Sequence, residues 1–105
     1  MSDIEERASF QVAIEHLDGS ATIRLSGALD AAAAPTMREE MWPLLARYEA
    51  EMVTLEADGL RSADDEGVAV LISFAKAMAP GRPTVRGLRP HLRALLDDGD
   101  CFLFD

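Results

Sequence analysis

Val53-Thr54-Leu55-Glu56-Ala57-Asp58-Gly59-Leu60-Arg61-Ser62-Ala63-Asp64-Asp65-Glu66-Gly67-Val68-Ala69-Val70-Leu71 changes its hydrophobic period halfway along. Val53, Leu55 and Ala57 alternate with Thr54 and Glu56, the period of two expected of a half-buried strand. Asp58-Gly59 breaks that run. Beyond Asp64-Asp65-Glu66, the residues Val68, Leu71, Ile72, Ala75 and Met78 or Ala79 recur at helical spacing, until Pro80-Gly81 stops the helix. A strand feeding a helix is half of a crossover between parallel strands, which places the chain in the α/β class.

The flanking sequence completes the pattern. Towards the N-terminus, Phe10, Val12 and Ile14 alternate with polar residues, as do Ala21, Ile23 and Leu25, and Asp18-Gly19 between the two runs is a hairpin turn signal. These two runs are expected to be antiparallel strands, the second ending at Gly27. Met37, Met41, Leu44, Leu45 and Tyr48 then mark one face of a helix, with Pro35 in its first turn. Towards the C-terminus, Thr84-Val85-Arg86 predicts a short strand. A helix from Pro90 follows, with Leu92, Leu95 and Leu96 facing inward and Gly99 as its cap. Phe102-Leu103-Phe104 predicts a last short strand. The expected order is β-β-α-β-α-β-α-β, a small mixed sheet with one antiparallel pair. Residues 10–105 are expected to form a single domain behind a flexible start at 1–9.

Composition narrows the function classes. The chain has 105 residues, 49% of them apolar and only 6% aromatic, so its core rests on aliphatic side chains. The formal net charge of −9 opposes nucleic-acid binding, which needs basic residues to neutralise phosphate. Arg82, Arg86, Arg89 and Arg93 gather in one stretch, read as a solvated face in preference to a phosphate-binding patch. No apolar run reaches the roughly 20 residues of a membrane span. The first residues are acidic, unlike the basic start of a signal peptide. With the single Cys101, these features point to a cytoplasmic location and no membrane insertion.

Catalytic constellations are sparse. His16 and His91 have no Cys or His at ligand spacing, no phosphate-cradling glycine loop is visible, and Cys101 reads as a small hydrophobe. No metal, cofactor or enzymatic activity is expected. The local feature that remains is the run of three carboxylates, Asp64-Asp65-Glu66. By itself it reads most simply as a helix cap and a helix-dipole partner.

Taken together, these segments resemble a known family. Leu25-Ser26-Gly27-Ala28-Leu29-Asp30 is similar to the LxGxLD element of STAS domains, the family of the bacterial anti-sigma factor antagonists. Ala63-Asp64-Asp65-Glu66-Gly67-Val68-Ala69-Val70-Leu71 resembles that family's hDSSGhGhL element, where h is apolar. Val85–Pro90 and Leu92–Gly99 resemble its later strand and helix. The resemblance implies a non-enzymatic protein–protein regulator whose partner is an anti-sigma factor of the serine-kinase type. The alternative is an accessory subunit of an ABC-type transporter or of a larger signalling scaffold. It also implies a partner-binding surface at Asp30, Asp64, Asp65, Glu66, Gly67 and Val68. Typical members are phosphorylated on the first Ser or Thr after the motif's Asp, and phosphorylation breaks the complex. Here Asp65 occupies that phospho-acceptor position and Glu66 the next, so the expected switch is held in a charged state or put to another use. Ser62 is the nearest hydroxyl, a plain loop serine before it is a displaced acceptor. The family pattern also carries a C-terminal helix for which this sequence, ending at Asp105, has no counterpart. Ala33 stands where relatives have a capping Ser or Thr, so the first helix is expected to start less firmly.

Overall fold

The computed structural model describes residues 10–96 and 101–105. The expected start at 1–9 and the expected cap at Gly99 lie outside the described residues. Among the described residues five strands form one sheet in sequence order: β1 (Gln11–Leu17), β2 (Ser20–Leu29), β3 (Val53–Ala63), β4 (Thr84–Arg86) and β5 (Leu103–Phe104). β1 and β2 pair antiparallel across the tight turn at Asp18-Gly19, where both residues have positive φ. The remaining pairs are parallel. Three α-helices connect them: α1 (Ala34–Met41), α2 (Asp65–Ala77) and α3 (Pro90–Leu96). The predicted order of elements holds.

The sheet has one covered face. Ile23, Leu25, Val53, Leu55, Ala57 and Val85 are buried and form one core with Met37, Met41, Leu44, Val70, Leu71, Phe74, Leu92 and Leu96. Each such aliphatic or aromatic side chain contributes about 1.5–3 kcal/mol when fully buried. The alternate residues point the other way and are polar. There Arg24 lies between Glu15 (3.3 Å) and Glu56 (3.1 Å), and Arg86 pairs with Asp105 (2.9 Å). The hydrogen bond to Glu56, with the nearby Glu15 charge, raises the Arg24 pKa further above its ordinary value.

Several boundaries differ from the sequence reading. β2 runs on through Gly27 to Leu29, and β3 runs on through Asp58-Gly59 to Ala63. Their pairing shifts register between Arg24 and Ser26 and again between Gly27 and Ala28. Turn-forming residues therefore act here as bulges that bend two long strands without ending them. Ser62 consequently lies in β3, exposed and opposite Ala28, and not in a loop. The first helix is α-helical only to Met41, after which Trp42–Ala46 tightens to a 3-10 turn. Pro43 causes this, because it has no N–H to continue the α-helical ladder. In α3, Leu95 is 39% exposed, while Leu92 and Leu96 are buried. On α2, Phe74 is the central core side chain, fully buried and 5.7 Å from the Trp42 ring.

Candidate functional site

The parallel pairing of β2 with β3 sets Leu29 beside Ala63, so both strands end on the same edge of the sheet. Leu29 is the junction of that edge. Its carbonyl accepts a hydrogen bond from the Asp64 N–H (3.0 Å), and its side chain is buried. Asp30 follows it and Asp64 follows Ala63, which places every acidic candidate on one side of the domain.

The carboxylates there are not equivalent. Asp64, in extended conformation, is the N-cap of α2: its Oδ1 accepts from the Gly67 N–H (2.9 Å), and its carbonyl accepts from the Val68 N–H (2.9 Å). Asp30 caps the short 3-10 turn Ala31–Ala33 through an Oδ1 bond from the Ala33 N–H (3.1 Å). That cap, with Pro35 in the first turn, substitutes for the missing side-chain cap at Ala33. Each residue thus gives one carboxylate oxygen to the backbone, as Asp does at helix starts. Asp65 and Glu66 occupy the first two positions of α2, and both are exposed. Among the described residues neither makes a side-chain hydrogen bond or ion pair. They present two carboxylates to solvent at the end of a helix whose dipole favours negative charge.

Gly67 and Val68 lie beneath this acidic pair and are buried. A Cβ on Gly67 would stand 2.3 Å from the Leu29 carbonyl oxygen and 2.6 Å from its carbon. The glycine is required because the helix start is pressed against the end of β2. Its role here, like that of Val68, is in packing, and both are buried in the folded domain.

One neighbouring feature escaped the sequence reading. A groove of about 340 Å³ runs between α1 and α2, lined by Ala31, Ala34, Arg38, Glu66, Ala69, Val70 and Ser73. Small residues on both helices open it, and Arg38 and Glu66 supply opposite charges to its lining. The signal was present as small residues, Ala31 and Ala34 ahead of and at the start of α1 and Ala69 and Ser73 one turn apart on α2. Their significance depends on the two helices lying side by side, which period alone does not reveal.

Other candidates do not converge. Of the arginine stretch, Arg86 lies on the open face of the sheet with Asp105, while Arg93 sits over the Phe104 ring at 4.7 Å. His16 Nδ1 is 2.6 Å from the Tyr48 hydroxyl, with the rings stacked, and His91 is exposed on α3. Among the described residues no three His, Cys, Asp or Glu side chains group to hold a metal ion. No described helix is long and apolar enough to cross a membrane.

Comparison with known proteins bears on the family and the fold. Residues 12–98 match the family model described as "Mlab, STAS domain". An anti-sigma F factor antagonist of Paenibacillus polymyxa is 28% identical over 96 residues, covering 90% of this chain and 82% of the relative. The fold is similar to that of the anti-sigma factor antagonist SpoIIAA in its unphosphorylated form. That match has a TM-score of 0.72 at 19% identity, over 92% of this chain and 87% of the other. The phosphorylated form of SpoIIAA from Bacillus matches with a TM-score of 0.68 at 18% identity, over 92% and 91% of the two chains.

Proposed function

The chain belongs to the STAS domain family, and on that premise we propose that it is a non-enzymatic regulator of the anti-sigma factor antagonist type. Its partner surface is the edge carrying Asp30, Asp64, Asp65 and Glu66, and its partner is an anti-sigma factor of the serine-kinase type. The observation that carries the reading is the division of labour among three exposed carboxylates: Asp64 gives its Oδ1 to the helix cap, whereas Asp65 and Glu66 make no side-chain hydrogen bond or ion pair among the described residues.

Asp65 stands at the position where the family pattern has a phosphorylatable hydroxyl. A phosphoserine carries about −1.5 to −2 charge and three acceptor oxygens. Asp65 and Glu66 together supply two negative charges on adjacent residues at the same helix start. The edge therefore holds permanently the charge that a switched relative acquires only on modification. A carboxylate forms no stable phosphate ester, so this domain is set in the charged state without a kinase. Gly67 and Val68 support the surface from below by fixing the height of the helix start against Leu29.

The test is chemical. Wild-type protein and the Asp65→Ser variant are incubated with ATP and a serine kinase of the anti-sigma type, then weighed by intact-mass spectrometry. The variant should gain one phosphate at residue 65 and the wild type none. Stoichiometric phosphate on Ser62 of the wild type would overturn the reading.

A further inference from the structure

We propose that two copies of this chain associate through their β1 strands, in antiparallel register about a two-fold axis at Ile14, to make one continuous ten-stranded sheet. Among the described residues, each end strand of the sheet has a neighbour on one side only. The two edges differ. β5 is two residues long, and a very short strand is itself a device against edge pairing. β1 has seven residues, pairs continuously with β2 without a bulge, and contains no proline or lysine. Its one carboxylate, Glu15, is paired within the same copy to Arg24 at 3.3 Å, and the strand ends in Leu17, which is 59% exposed.

The register follows from the hairpin. A two-residue turn closes on a hydrogen-bonded pair, here Leu17 with Ser20, and pairs alternate from there. Gln11, Ala13, Glu15 and Leu17 therefore direct their backbone groups towards β2. Val12, Ile14 and His16 direct theirs outward, where a second strand would meet them. Their side chains lie on the covered face of the sheet, where Val12 and Ile14 are half-buried at the rim of the core. Pairing Ile14 with Ile14 of a second copy sets Val12 opposite His16, so all three outward residues gain bonds. The same register extends the apolar rim across the two-fold axis.

Charge selects the same register. Centred on Ile14, Glu15 falls opposite Ala13 of the second copy, and behind that small side chain lies the second copy's Arg24, since Ala13 pairs with Arg24. A slip that centres the axis on Glu15 opposes two glutamates. One that centres it on Ala13 sets His16 opposite Phe10, outside the strand, and places Ile14 against Val12 in place of Ile14. A second copy is thus the occupant that this edge fits in both hydrogen bonding and charge. One strand pair of seven residues is about 24 Å long, a small contact beside the roughly 800 Å² a side of stable complexes. The dimer is accordingly weak and depends on concentration.

Sedimentation equilibrium on the full chain tests for it, together with amide exchange followed by NMR at low and high protein concentration. The proposal expects dimer to accumulate as concentration rises towards about 1 mM. The amides of Val12, Ile14 and His16 should gain protection with it, while those of Ala13 and Glu15 stay unchanged. The exposed substitution Ala13→Glu sets a carboxylate against Glu15 of the second copy at two symmetric points. It should weaken dimerisation about tenfold, while its own neighbour Arg24 keeps the monomer folded. A chain that stays monomeric over this range overturns the proposal. So does a dimer that survives Ala13→Glu unchanged or leaves the three outward amides unprotected.

Discussion

Replacing Gly67 with alanine tests the packing that sets the height of the candidate site. In an ordinary helix the change is stabilising, because alanine is favoured over glycine by about 1 kcal/mol. Here the new methyl would fall 2.3 Å from the Leu29 oxygen, 2.6 Å from its carbonyl carbon and 2.9 Å from its Cγ. Neither side yields easily. The Leu29 carbonyl holds the Asp64 N–H, Leu29 is paired with Ala63 at the end of β2, and its side chain is buried. The helix must lift instead, and lifting it strains the cap bond from the Gly67 N–H to Asp64 and the seating of Phe74 in the core. Overpacking of this kind costs about 1–3 kcal/mol or more, and a weakened cap adds up to about 1 kcal/mol. Set against the propensity gain, the net expectation is about 2 kcal/mol of destabilisation, a fall in Tm of roughly 10 °C for a domain of this size. Circular dichroism during thermal and urea unfolding reads it directly. Ala69→Gly, at an exposed position of the same helix, is the control and should lose about 1 kcal/mol. A Gly67→Ala protein as stable as the wild type would refute the close approach.

The remaining expectations separate structural from functional carboxylates. Asp64→Ala should cost about 1 kcal/mol through loss of the N-cap bond, seen as a lower urea midpoint with unchanged slope. Asp65→Ala should cost at most about 0.5 kcal/mol, the size of an exposed helix-dipole contribution; equal losses for the two would contradict their assigned roles. Phe74→Ala should remove about 3–5 kcal/mol and leave the domain unfolded or marginal at 37 °C by circular dichroism.

Much of this was legible in the sequence where a pattern is local. The period of two in β2 and β3, the Asp18-Gly19 turn and the helical stripe from Val68 each specify an element by its own residues. The placement of Asp30 and Asp64 on one edge followed from parallel pairing alone. What stayed illegible depends on neighbours. Gly27 and Asp58-Gly59 have the composition of strand ends, yet adjacent strands hold them in a bulged ladder. Gly67 and Val68 read as surface from the motif, and only the Leu29 carbonyl shows why they are covered. The sequence does not distinguish Asp64 from Asp65 beyond their order; both are exposed, and the cap bond to Gly67 assigns one to structure and leaves the other without a side-chain partner among the described residues. Phe74 and Val70 fell outside the predicted stripe because a helix packed on both a sheet and α1 buries a wider arc than a simple amphipathic period describes.

The central claim is that Asp65 fixes the domain in the state that phosphorylation would otherwise create. Isothermal titration against the proposed serine-kinase partner, once a candidate has been identified from the native cell, measures it most directly. Like charges juxtaposed across an interface cost up to several kcal/mol, so removing one should be plain in the binding constant. The account predicts that Asp65→Ser binds at least tenfold more tightly than the wild type and loses that gain once the new serine is phosphorylated. An affinity that is unchanged or weaker in Asp65→Ser would contradict it and return the acidic pair to a role in stabilising the start of α2.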